Sequence, residues 1–183
     1  IMGRFKFFYD WDWLAAEREF KRAIALNPND TLARIAYSFE LAAMGRLDEG
    51  MAVIKRAREL DPLSAYINYV LGWHFYVRHQ YEQAIEQLQK TLELEPSFFP
   101  AHWALWRTFW VKGRYEEAVD ERRTSYSLLG NREVVEAIEQ GYAESGYRSA
   151  MRRAAEKLVA QSKERYLPAT EIALLYAHAE EKD

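Results

Sequence analysis

Chemistry in a protein needs particular residue types at particular spacings, and the four histidines are the first place to look. They stand at His74, His79, His102 and His178. None has a second histidine or a carboxylate four residues away, the step that sets two ligands on one face of a helix. No glycine-rich phosphate loop occurs, and no serine sits in the context of a nucleophile elbow. The chain has no cysteine, which excludes disulfides, thiolate metal sites and thiol nucleophiles. Glu116, Glu117, Asp120 and Glu121 would suggest a cation site or an acid–base pair, but Arg114, Arg122 and Arg123 stand among them. That is the pattern of a solvated, ion-paired helix face. Arg148, Arg152, Arg153 and Lys157 form a short basic stripe that acids elsewhere balance. The sequence therefore predicts no catalytic residues, no metal and no cofactor.

What the chain does concentrate is aromatic surface: 6 Trp, 12 Tyr and 9 Phe make up 15% of it. Aromatic side chains dominate the energetics of cores and of interfaces alike. In the stretch 65–78, Ile67, Leu71 and Phe75 share one helical face. Tyr66, Tyr69, Trp73 and Tyr76 recur at spacings of three, four and three on another. A helix apolar nearly all round must be covered on both sides. Residues 99–112 repeat the arrangement, with Leu105 and Phe109 on the first face and Trp103, Arg107 and Trp110 on the second. Arg107 lies where it can stack on Trp103 and Trp110 as a structural cation–π contact, or stand clear as a receptor for a carboxylate.

These helices are positioned by a repeat. Asn27-Pro28, Asp61-Pro62 and Glu95-Pro96 recur every 34 residues, each after an amphipathic run, and a fixed period of that length marks a stacked helical array. Turns at Gly45-Arg46-Leu47, His79-Gln80-Tyr81 and Gly113-Arg114-Tyr115 split each period into two helices. Proline disfavours helical geometry at the residue before it, so each pair stops there, and Asp30, Ser64 and Ser97 are placed to cap the next helix. Gly130-Asn131 reads as a C-terminal glycine followed by an N-cap.

Leu71-Gly72, Phe75, Tyr81, Ala84, Leu88 and Pro96 resemble, in order, the small-residue contact, aromatic plugs and terminal proline of the tetratricopeptide repeat family. Trp13, Ala16, Phe20, Ala23 and Pro28 carry the same likeness in an incomplete first repeat. Gly50 stands where alanine is usual, and Trp106 fills a slot that is usually small, where it should push its helix pair apart. The resemblance implies an all-α, right-handed solenoid of antiparallel helix pairs. It also places Phe39, Tyr66, Tyr69, Trp73, Tyr76, Trp103, Arg107 and Trp110, with Ile35, along a concave trough that binds another polypeptide. The carboxylate clamp of one tetratricopeptide subgroup is absent, because Ile35, Phe39, Tyr66, Tyr69, Val70 and Trp73 hold the comparable positions. Trp11-Asp12-Trp13, Asp61-Pro62-Leu63-Ser64 and Leu71-Gly72-Trp73 are similar to the C-terminal arrays of bacterial signalling and transcription-regulatory proteins.

The period divides the chain into a partial first repeat at 1–30, with its second helix over about 11–26, and repeats at 31–64, 65–98 and 99–131. A divergent pair follows over 132–166 (132–145 and 147–162), then a terminal helix without a partner over 167–183. Together they read as one domain, a fragment of a longer protein. The 49% apolar content supports a packed core. A net charge of -3 and a pI near 5.9 offer no positive field for nucleic acid, and no membrane span is written in the sequence. The expected partner is an apolar or amphipathic polypeptide segment. It belongs to another protein, to another domain of the same protein, or to a second copy in a homo-oligomer. A cytoplasmic location fits the absence of cysteine.

Overall fold

The computed structural model describes residues 12–180, and among these every regular element is an α-helix. In order they are α1 (Trp13–Leu26), α2 (Thr31–Ala43), α3 (Leu47–Leu60), α4 (Ala65–Val77), α5 (Tyr81–Leu94), α6 (Phe99–Val111), α7 (Tyr115–Leu128), α8 (Arg132–Gln161) and α9 (Ala169–Glu180). The expected remnant of a first helix at 1–9, and Trp11, lie outside the described residues. The chain forms two compact units, one ending at Ala101 and the other beginning at His102.

In the first unit the helix boundaries follow from local chemistry. The carboxylates of Asp12 and Asp30 accept hydrogen bonds from the amides of Ala15 and Ala33, both at 2.9 Å, and the Ser64 hydroxyl accepts from Ile67 at 3.3 Å. Each satisfies an amide that the first helical turn leaves without a partner. Asn27, Asp61 and Glu95, each before a proline, leave helical geometry at the ends of α1, α3 and α5. The pattern departs from expectation at α6. It opens at Phe99, so Phe98 holds the register of Asp30 and Ser64 without a capping oxygen, and Ser97 lies one residue too early.

The pairs close through a layered core. Ala16, Phe20, Tyr37 and Leu41 join α1 to α2, and Tyr37 adds a 2.7 Å hydrogen bond from its hydroxyl to Glu17. Ile35, Met51, Ile54, Ala57, Ile67, Val70 and Leu71 join α2, α3 and α4, with Phe39, Tyr69 and Phe75 packed against them half-buried. Ile35 is thus a core residue and no part of an open trough; three residues from Ser38 and six from Leu41, it points between the pairs. Asn68, also buried, has its amide satisfied by the carbonyls of Pro62 and Ser64 and by Gln87.

In the second unit, α8 is two arms. Ser145 and Gly146 leave helical geometry, Gly146 with φ 71°, and the arms then pack so closely that a Cβ on Gly141 would lie 2.6 Å from the Ser149 carbonyl oxygen. Asn131 caps the first arm through Val134. One expectation is corrected here. The terminal helix, expected to lack a partner, packs on α8 and buries Leu175, His178 and Ala179. Its sequence has too few repeat landmarks to reveal that contact. Trp106, in the slot that is usually small, is fully buried and partnered. Its indole N–H donates to the Tyr147 hydroxyl at 2.9 Å, and the Arg122 guanidinium lies 4.1 Å from its ring centre.

Candidate functional site

The first unit carries five of the aromatic residues singled out in the sequence. α4 brings Tyr66 and Tyr69 into a stack with ring centres 6.2 Å apart, and Trp73 meets Phe39 of α2 at 4.8 Å. Tyr76 packs on Tyr81 at 5.9 Å, and Tyr69 meets Phe98 at 5.6 Å. Phe39, Tyr69, Trp73 and Tyr76 are half-buried, whereas Tyr66 is 43% exposed. Leu32, one period before Tyr66, is 71% exposed. Phe39 and Trp73 thus pair with one another, Tyr69 and Tyr76 pack on Phe98 and Tyr81, and Tyr66 and Leu32 are the exposed members of the set. Because Phe75 is also half-buried, Leu71, fully buried, is the cleaner marker of the core face.

The second unit treats the corresponding residues differently. Arg107 lies 4.8 Å from the Trp103 ring centre, the structural cation–π contact. Trp110 faces inward to α9, where the His178 ring sits 4.1 Å from it and 4.6 Å from Trp106. Glu171 of the same helix accepts hydrogen bonds from Arg122 and from the Tyr126 hydroxyl. Arg122 is 1% exposed, and its cost of burial is offset by the paired carboxylate and by the two rings it lies on. Trp110 is therefore occupied by the chain's own helix.

The burial of three titratable residues was not visible in the sequence. Glu40 is 1% exposed with no hydrogen-bond partner on either oxygen; burial and the neighbouring charge of Glu17 push its carboxyl up to about 7. His74, one period later, is fully buried without a partner on either nitrogen, and burial brings it down to about 4, helped by Arg78. A Cβ on Gly50 would lie 2.9 Å from the His74 ring, so the glycine in place of the usual alanine makes room for the imidazole. His178 is likewise lowered to about 4, by burial and then by Arg122 and Arg107. The 34-residue register joining 40 to 74 was the signal available, but a helical pattern writes a buried polar residue and a solvated one alike.

Other charged residues pair as surface charges do. Arg114 meets Glu117, Arg123 meets Asp120, Arg153 meets Glu144 and Lys157 meets Glu133. Glu121, from the acidic stretch, binds the His102 ring at 2.6 Å. Among the described residues no cluster of three or more His, Cys, Asp or Glu is placed to hold a metal ion, and no helix is long and apolar enough to cross a membrane.

No protein-family model and no curated protein matches the sequence. Solved structures do. A crystal structure of MamA matches with a TM-score of 0.62 at 18% identity, over 98% of this chain and 92% of that one. MamA from Desulfovibrio magneticus RS-1, residues 41 to the end, matches at 0.53 and 20% identity over 67% of each chain. The Cut9-Hcn1 hetero-tetramer of the APC/C matches at 0.70 and 18% identity, over 98% of this chain and 36% of that one. Likeness at these identities carries the fold. The chain has the all-helical, paired architecture of tetratricopeptide proteins, the class its proline spacing predicts.

Proposed function

We propose that this chain is a non-catalytic protein-interaction scaffold, and that the aromatic face of α2 and α4 holds an apolar or amphipathic polypeptide segment. The observation that carries the reading is the exposure of Tyr66 and Leu32 on the helices that also carry the half-buried rings of Phe39, Tyr69, Trp73 and Tyr76. Exposed apolar surface in contiguous patches is where proteins meet partners, and Tyr and Trp are the side chains that most often carry interface energy. Trp103 and Arg107 are the counterparts in the second unit.

Site-specific photo-crosslinking from Tyr66, with the exposed Lys55 of α3 as the control position, tests the reading. A partner is expected to crosslink at Tyr66 and not at Lys55. Trp73→Ala should weaken its binding by about 2 kcal/mol or more, while Leu71→Ala acts on stability instead. Equal crosslinking from both positions, or normal binding to Trp73→Ala, sinks the proposal. One observation favours a second reading, in which such faces are filled from within the same protein: His178 of α9 already rests on Trp110.

A further inference from the structure

Glu40 meets α1 where the nearby donors already serve another carboxylate. Glu17 accepts the Tyr37 hydroxyl at 2.7 Å, the Lys21 ammonium at 2.8 Å and the Arg46 guanidinium at 3.0 Å. Arg46 also forks onto Glu49. Glu40 feels the charges of Glu17 and Lys21 from α1 and of Arg46 from the start of α3, and Tyr37 stands one turn before it on α2. Yet Glu40 is 1% exposed with no partner on either oxygen. Around it, α1 is held to α2 by Ala16 and Phe20 on Tyr37 and Leu41.

A protonated carboxyl tolerates such a place, whereas an ionised one without donors is strongly disfavoured. Turning Lys21 or Arg46 toward Glu40 gives no relief, because it strips Glu17. That carboxyl is held down to about 2 by its hydrogen bonds from Lys21 and Tyr37, so it keeps its charge. Once both are ionised, two carboxylates compete for the donors of one.

We infer that Glu40 is a proton-operated latch on the first described helix pair: α1 stays docked on α2 while the Glu40 carboxyl carries its proton, and detaches when the proton leaves. Detachment brings Glu40 into water and uncovers Tyr37 and Leu41. α1, α2 and α3 contain no histidine, the side chain that ordinarily titrates between about pH 5 and 8. Burial and the charge of Glu17 lift Glu40 into that window, to about 7. The docked form therefore holds its proton more tightly than the detached form, whose carboxyl stands at the ordinary 4.5. Docking is fully favoured below about 4.5 and loses ground as pH rises through 7. The latch acts at the α1–α2 contact and does not depend on what binds at Tyr66 or Trp73.

Two measurements on the full chain test it. The first follows the side-chain carboxyl carbon of Glu40 by NMR, assigned by its loss in Glu40→Gln. The second reads opening constants from amide hydrogen exchange, corrected for the intrinsic effect of pH, in α1 and around Leu71 of α4. Glu40 is expected to titrate well above the ordinary carboxylate range. The opening constant of α1 should rise by about tenfold or more between pH 5 and 8, and at pH 8 exceed that of α4 by about tenfold or more. In Glu40→Gln the rise should vanish. The inference is overturned if Glu40 titrates as an ordinary carboxylate, which the natural chain alone decides, or if α1 opens no more readily at pH 8 than at pH 5. It is equally overturned if α1 and α4 share one opening constant at pH 8, since the unit then unfolds as a whole, or if Glu40→Gln keeps the pH response.

Discussion

In the turn within each helix pair, Gly45 and Gly113 take φ of 76° and 70°, and His79 takes 59° in the same register. A Cβ makes that left-handed conformation costly, and the 2.6 Å contact of the His79 ring with the Tyr81 hydroxyl offsets only part of the cost. His79→Gly is expected to raise stability by about 0.5–1 kcal/mol, and Gly113→Ala to lower it by about 1 kcal/mol; thermal denaturation of the two variants checks both signs. Glu40 supplies a pH dependence. Its carboxyl, at 4.5 when unfolded, is raised to about 7 in the fold, so its contribution is fully present below about 4.5 and is lost as pH rises through 7. The loss is on the order of 3 kcal/mol. Denaturant titrations at several pH values should find Glu40→Gln gaining on the natural protein between pH 5 and 8, with a constant difference below 4.5. An unchanged difference across that range would mean that Glu40 does not sit neutral in the fold.

Among the elements, α9 is where sequence and structure diverge most. It was readable as a helix, but its seat depends on Trp106, Trp110, Arg122 and Tyr147, from three other elements at long sequence separation and outside the regular period. No local pattern encodes such contacts. The boundaries of α1 to α5 were legible for the opposite reason, since caps, turns and pre-proline stops act within a few residues. Because Leu175 is fully buried, Leu175→Ala is expected to cost roughly 2–5 kcal/mol. Amides around Leu175 should exchange as slowly as those of the second arm of α8, although the repeat pattern assigned this helix no partner. Fast exchange there would show that the seat is only transiently filled. Acid should loosen it: His178 falls from 6.5 to about 4 on folding, so its contribution is present above 6.5 and lost as pH falls through 4.

At the scale of the whole molecule, the period announced the pairs and the fold class, while which aromatic faces stay open was not legible. Trp73 and Trp110 look alike in a helical pattern; one packs against Phe39 of α2, and the other lies under His178. Neighbouring repeats in such arrays share shape, and shared shape invites wrong pairings during folding. Glu40 and His74 occupy one register with unlike chemistry, and a Cβ at Gly50 would press on the His74 ring and on the Ser38 carbonyl. Exchanging them, as Glu40→His with His74→Glu, preserves composition and formal charge, yet it should lower the midpoint of urea unfolding and slow refolding. An unchanged midpoint would show that the two positions are interchangeable. The poorly solvated residues at 40 and 74 then act as addresses: each helix pair carries a password that its proper neighbour accepts and a displaced copy does not.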